Sequence, residues 1–189
     1  EHEYLMGRRQ PASDLSAWNA DATRMPCRQH HEYLRRLYLR NDLAEGRYRV
    51  DGKPVALSDL RLPLFVLGTW RDTVSPWRSV YKIHLLTDTE VTFCLTSGGH
   101  NVGVVNPPGP GPRRSYQLAR RAAGHRYVDP DTWTATAPVH AGSWWPAWEG
   151  WLRQHGGDLV APPAMGRRTS RRGAPRGLAD APGSYVLEA

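Results

Sequence analysis

Lysine, cysteine and long apolar runs are scarce in this chain. Its 189 residues hold two cysteines, Cys27 and Cys94, too widely and irregularly separated for a zinc knuckle or a disulfide framework, so neither secretion nor a metal site is indicated. No stretch approaches the ~18 apolar residues of a membrane span. No basic-then-apolar leader opens the sequence, and a soluble, cytoplasmic protein is expected. No Gly-x-Ser-x-Gly pentapeptide or cysteine counterpart occurs, which excludes a complete nucleophile elbow. The only lysines are Lys53 and Lys82, so the formal charge of +7 comes almost wholly from arginine. Such a surplus favours polyanions, although arginine in place of lysine is also what a GC-rich genome produces without any function.

What is present reads first as a helix. "RQHHEYLRRLYLRNDLAEG" (28–46) places Leu34, Leu37 and Tyr38 at helical spacing with charges between them and Gly46 as the stop. "RYRVDGKPVAL" then carries Asp51-Gly52 between two short alternating runs, a dipeptide suited to the positive φ angles of a tight hairpin. "LPLFVLG" (62–68) is a continuous apolar run that predicts a strand buried on both faces. Ser75-Pro76 offers a cap and a first-turn proline, and Trp77, Val80, Tyr81 and Leu85 follow on one helical stripe. "EVTFCL" (90–95) is a second apolar run, ending shortly before Gly98, Gly99 and His100.

Strand, loop, helix and strand over 62–95 make a βαβ unit, whose right-handed crossover leaves the two strands parallel. The loops after both strands then open at one edge, where open parallel sheets place their reactive groups. Asp72 follows the first strand and His100 the second. A carboxylate beside an imidazole can hold it in the tautomer that general-base work requires. The two glycines before His100 supply a sharp turn at the strand end. Asp88 falls at the opposite edge, and both cysteines read as small structural thiols.

Five collinear segments then carry a resemblance: "WNADATRMP" (18–26), "GTWRDTVSPW" (68–77), "SGGHNVGVVNPP" (97–108), "HAGSWWPAWEGWL" (140–152) and "APGSYVLEA" (181–189). Together they resemble the C-terminal part of a poly(3-hydroxyalkanoate) synthase of the class I kind. The resemblance implies an α/β fold, the C-terminal half of an α/β-hydrolase core with parallel strands, plus part of a cap region and an extended tail. It divides the chain into the end of the cap (1–45), the core (46–157) and an Arg/Pro-rich tail (158–189). It implies acyl transfer from hydroxyacyl-CoA to a growing polyester, with CoA as leaving group and no cofactor. The family's catalytic histidine falls on His100 and its aspartate on Asp72, which orients the histidine or helps to activate the substrate hydroxyl. Trp18, Tyr38 and Asn41 fall where the family has residues near substrate and polymer. The nucleophilic cysteine of the family is expected upstream of Glu1, so the chain alone is expected to be inactive. A homodimer at a storage-granule surface, with no nucleic acid and no membrane span, completes the expectation.

The remaining features read as structural. His30, His31, His84, His125, His140 and His155 lack metal-ligand spacing and are expected at the surface or in packing. "GSWWPAWEGWLRQHGG" predicts a last helix with Ser143 as cap and Trp145, Trp148, Trp151 and Leu152 along one stripe, and an exposed Trp144 there could meet a polyester. The arginines of "APPAMGRRTSRRGAPRG" lie among Pro, Gly and Ser, a composition that does not fold independently. Two rivals share these residues: a hydrolase or depolymerase using the same acid and histidine with water as acceptor, and a non-catalytic granule- or nucleic-acid-binding module relying on the arginine tail.

Overall fold

The structure, a computed structural model, describes residues 5–7, 13, 18, 24–110 and 114–162. Most of the residues before Arg24 and those from 163 onward, with the arginines of the tail, therefore lie outside the described residues. The chain divides into two compact units, Glu1–Pro146 and Ala147–Ala189.

In the first unit a helix, α1 (Cys27–Tyr33), widens into a π-helical stretch over Leu34–Leu39. The chain leaves it at Asn41, which takes φ 51°, so the helix stops five residues before the expected Gly46. Of its apolar stripe, Leu34 and Tyr38 are exposed. Strands β1 (Tyr48–Val50) and β2 (Lys53–Val55) form the hairpin expected from Asp51-Gly52, with φ of 48° and 76° at the two turn residues. Both values belong to the type I′ turn that matches strand twist.

The core is a four-stranded sheet in the order β3-β4-β5-β6, formed by Leu64–Thr69, Val91–Thr96, Ser115–Arg121 and Val139–Ala141. β3 and β4 are parallel in the register Leu64 to Val91 through Thr69 to Thr96, as the crossover requires. The other two pairings are antiparallel, so the sheet is mixed, and the expectation of parallel strands holds for one pairing of three. The physical reason is the connection: among the described residues between His100 and Ser115, which are rich in proline, there is no crossover helix, and a return of that kind reverses strand direction. β4 is the strand buried on both faces, every residue from Val91 to Thr96 being buried. β3 is only half-buried over Leu64–Leu67, because β4 is its one partner among the described residues.

On one face Val91, Phe93 and Leu95 pack against Trp77, Tyr81, Trp133 and Ala137. Aromatic edges meet there: Tyr81 on Phe93 at 4.9 Å and Phe93 on Trp133 at 5.2 Å between ring centroids, both near perpendicular. Complete burial of a side chain such as Phe93 stabilises by roughly 1.5–3 kcal/mol. The expected crossover helix is two short pieces, α2 (Trp77–Val80) and α3 (Ile83–Leu86). The break turns His84 inward, 5% exposed, and leaves Leu85 61% exposed, contrary to the stripe read from the sequence. Trp133 is supplied by α4 (Pro130–Thr136), whose first turn is capped by Asp129 accepting from the amides of Asp131 and Thr132.

On the other face Phe65 stacks on Trp144 at 6.1 Å. Trp144 is 6% exposed and donates its indole N–H to the Val104 carbonyl at 3.1 Å, which corrects its reading as an exposed polymer contact. The last helix, α5 (Trp145–His155), starts with Ser143 Oγ accepting from the Trp145 amide at 3.1 Å, as the cap reading anticipates. Within the second unit His155 Nδ1 donates to the Trp151 carbonyl at 2.8 Å, and Arg153 pairs with Glu149 at 2.6 Å.

Candidate active site

The two strand tips are tied before any side chain is considered. Beyond the last pair of β3 and β4, Trp70 donates to the Thr96 carbonyl at 2.9 Å and Arg71 to the Gly98 carbonyl at 2.8 Å. The parallel ladder therefore continues into both loops, and the residues that follow have little choice of position. Asp72 turns back at once, its amide bonding to the Thr69 carbonyl at 3.2 Å.

Every acceptor direction of Asp72 is used. Oδ1 accepts from the amides of Val74 at 2.9 Å and Ser75 at 2.7 Å. Oδ2 accepts from the Thr69 hydroxyl at 3.1 Å and faces His100 Nδ1 at 2.9 Å. The Ser75 amide first, then His100, Val74 and Thr69, hold the carboxyl down at about 2 against the opposing cost of burial. Asp72 is thus a carboxylate throughout the neutral range. Ser75 does not cap α2, as the sequence suggests: its amide goes to Asp72, and Pro76 occupies the cap position without a side-chain bond.

An ionised, acceptor-only partner at Nδ1 fixes the tautomer of the histidine. Nδ1 must carry the proton, which leaves the lone pair on Nε2. Only 6% of the Asp72 side chain is exposed against 51% of that of His100, so the acid is sheltered and the imidazole reachable. An imidazole presented in this way can take a proton from a nucleophile and later return it.

Of the two glycines before His100, Gly98 sits at φ 114°, a conformation that side chains rarely adopt. Gly99 meets no such demand: a Cβ there would have only an ordinary contact, 3.7 Å from the Arg71 carbonyl. The second indispensable glycine is Gly103, where a Cβ would stand 2.7 Å from Thr69 Cγ2 and 2.8 Å from the Gly99 carbonyl. No local pattern marks it, because its tightest neighbour, Thr69, lies on another strand.

Cys94 cannot act as a nucleophile here. Cys94 is fully buried in β4, and burial pushes its thiol up to about 12; a thiol that stays protonated does not attack. Cys27 lies exposed at the start of α1, which corrects its reading as a buried or half-buried structural thiol. Trp18 and Tyr38 are exposed too, 68% and 72%, and Tyr38 accepts from the Tyr33 hydroxyl at 3.4 Å. Among the described residues no hydrogen bond or ring contact links Trp18, Tyr38 or Asn41 to Asp72 or His100. A cleft of about 300 Å³ lined in part by Trp70, Leu95, Ser97, Tyr116 and Val139 lies at the same strand ends. Among the described residues no helix is long and apolar enough to cross a membrane, and no three His, Cys, Asp or Glu side chains are grouped to hold a metal ion.

The mixed sheet thus presents a sheltered carboxylate beside a reachable imidazole at one edge, a pair able to take up and return a proton. The chain is 38% identical over 187 residues, 99% of its length, to the poly(3-hydroxyalkanoate) polymerase subunit PhaC of Rhizobium etli. It is 39% identical over 185 residues to the poly(3-hydroxyalkanoate) polymerase of Methylorubrum extorquens and 36% over 190 to the polymerase subunit PhaC of Cupriavidus necator, matches that take in 98% and 97% of it. Its resemblance to this group of polymerases is therefore carried by nearly the whole sequence, beyond the five segments. The chain spans only 28%, 29% and 30% of those three relatives. No protein-family model matches it.

Proposed function

We propose that this chain supplies the acid and base of a poly(3-hydroxyalkanoate) polymerase built on an α/β-hydrolase core, with the nucleophile on a segment outside the chain. The observation that carries the reading is the 2.9 Å contact between His100 Nδ1 and Asp72 Oδ2 at the tips of two parallel strands, in a chain similar along its length to such polymerases. The unpaired side of β3 is where the strand bearing the nucleophile would add to the sheet. Residues 1–45 would then close a cap region, 46–157 form the core and 158–189 the tail.

In this reaction His100 Nε2 takes the proton of a cysteine thiol. The thiolate attacks the carbonyl carbon of a 3-hydroxyacyl-CoA thioester, the C–S bond to CoA breaks, and CoA leaves with the proton that His100 returns. The hydroxyl of a second acyl unit then attacks the enzyme thioester, losing its proton to Nε2; the C–S bond to the cysteine breaks, the thiolate leaves and takes that proton back from Nε2, and an ester bond lengthens the polymer. Asp72 holds the imidazole. It has no acceptor direction left for a substrate hydroxyl, and a carboxyl held near 2 is a weak base, so orientation is the role its geometry favours over hydroxyl activation. The cleft beside Ser97 and Trp70 has the size and apolar walls for an acyl side chain. No cofactor takes part. A polyester product would keep the protein in the cytoplasm at a granule surface, as a homodimer, and Trp18, Tyr38 and Asn41 would border the polymer path.

The test is a chimera in which this chain replaces the corresponding part of the Cupriavidus necator polymerase. With 3-hydroxybutyryl-CoA it should release CoA and accumulate polymer, and His100→Ala should cost about a hundredfold or more, the general acid–base share. Free hydroxy acid without polymer would favour the hydrolase, and a folded chimera indifferent to His100→Ala would end the reading.

A further inference from the structure

We infer that Thr96 and Gly103 are the positioning residues that hold His100 against Asp72. This rests on the pairing just described and adds how the loop carrying the histidine is fixed. Thr96, the last residue of β4, is fully buried, and its hydroxyl points away from the sheet ladder into the loop. There it donates to the Gly103 carbonyl at 3.1 Å, with the Ser97 carbonyl also near at 3.2 Å. The bond closes residues 97–103 into a ring on the strand tip, with His100 at its middle. Gly103 in turn donates its amide to the Gly99 carbonyl at 2.9 Å, across the histidine.

The ring is then pressed against β3. Gly103 has room for no side chain because the methyl of Thr69 occupies it. The hydroxyl of that same Thr69 donates to Asp72 Oδ2, the oxygen that faces His100. One threonine therefore touches the acid with its oxygen and the histidine loop with its methyl, while the other holds the loop from beneath. Half of the His100 side chain is exposed, so its own packing cannot place it. The ring places it, and the spacing from Thr96 to Gly103 follows from what a closed turn of that size needs.

The experiment reads the Nδ1–H proton of His100 by NMR in the histidine-labelled chain, assigned by its loss in His100→Gln. Thr96→Val keeps shape and removes the donor; Thr96→Ser restores it; Gly103→Ala forces the ring away from Thr69. Near-ultraviolet circular dichroism of the tryptophan core reports folding. Thr96→Val and Gly103→Ala should keep the core signal while exchange of the His100 proton with water accelerates about five- to tenfold, what one net hydrogen bond is worth. Thr96→Ser should return it to the parent rate. Unchanged exchange in folded Thr96→Val overturns the inference, and so does failure of both variants to fold, which would assign these contacts to stability alone. Because the readout needs no nucleophile, an inactive chimera with altered exchange would refute the polymerase reading and leave the positioning role standing.

Discussion

His84 is buried as a neutral base, and acid should reveal it. Both ring nitrogens lack a hydrogen-bond partner among the described residues, and the ring lies 4.4 Å from Tyr81 and 5.9 Å from Phe93. Burial first, and the Arg121 guanidinium second, lower its pKa from 6.5 to about 4. The folded state therefore refuses a proton that the unfolded chain accepts between those two values. Stability from this source is whole above pH 6.5, falls with pH, and is exhausted below about 4. Full linkage over the interval amounts to roughly 3 kcal/mol, and about 2.5 kcal/mol is lost by pH 4.5.

The perturbation is His84→Leu, of similar volume and without a titrating group. Urea unfolding followed by tryptophan fluorescence, at several values between pH 7.5 and 4.5, gives both curves. Groups common to the two proteins cancel, and Asp72, held near 2, titrates below the window. The parent should lose about 2.5 kcal/mol more than the variant, in fair proportion to a total stability of about 5–15 kcal/mol. At pH 7.5 the variant should be equal or more stable, since it removes two unsatisfied buried nitrogens. Parallel curves would show that His84 finds water or a partner, and the reasoning from burial would fail.

Asp72→Asn in the chimera should lower polymer formation about a thousandfold or more, because an amide no longer fixes the tautomer with Nδ1 protonated; a loss under tenfold would remove Asp72 from the mechanism. The Asp72 carboxyl, followed by carbon NMR, should stay ionised down to about pH 2, and its contribution to stability, present above the usual carboxylate range, should fade as pH falls through that value. Of the two thiols, the folded chain should show one reactive toward an aromatic disulfide at pH 8, Cys27, and a second, Cys94, only after urea. Two fast thiols would contradict the buried strand.

Those elements were legible whose residues announce themselves locally. Two apolar runs gave β3 and β4, Asp51-Gly52 gave the hairpin, and the crossover between the runs put Asp72 and His100 at one edge. β5 was not legible, because "SYQLARR" hides its strand behind two arginines. Arg121 spends its guanidinium on the carbonyls of His84, Thr87 and Thr89, and Arg120 pairs with Glu90 at 2.5 Å. Those partners sit 30 to 37 residues away, where no local pattern could show them. β6 has three exposed residues and exists only by its register with β5. The crossover helix breaks after Tyr81, which reassigns the inward position from Leu85 to His84.

The site shows the same division between local and distant causes, and the division explains how the pair is built within so short a stretch of chain. Asp72 is fixed by its own turn, through Thr69, Val74 and Ser75, all within three residues of it. His100 is fixed by its own ring, from Thr96 to Gly103. What joins the two is the ladder between β3 and β4, extended by the amides of Trp70 and Arg71. None of these contacts calls on a residue outside 64–103, so the acid and the imidazole meet without help from any other segment. Under the proposed function, a segment bringing the thiol would then have only to dock beside β3 with its sulfur facing Nε2. Such a site separates into a preorganised acid–base half and a nucleophile half, and a polypeptide carrying the second should regain activity when this chain is supplied to it. Mixing a Cupriavidus necator polymerase truncated before the matching region with this chain should restore CoA release above either part alone; no gain, with both parts folded and bound to each other, would show that the acid–base half is not finished until the two are made together.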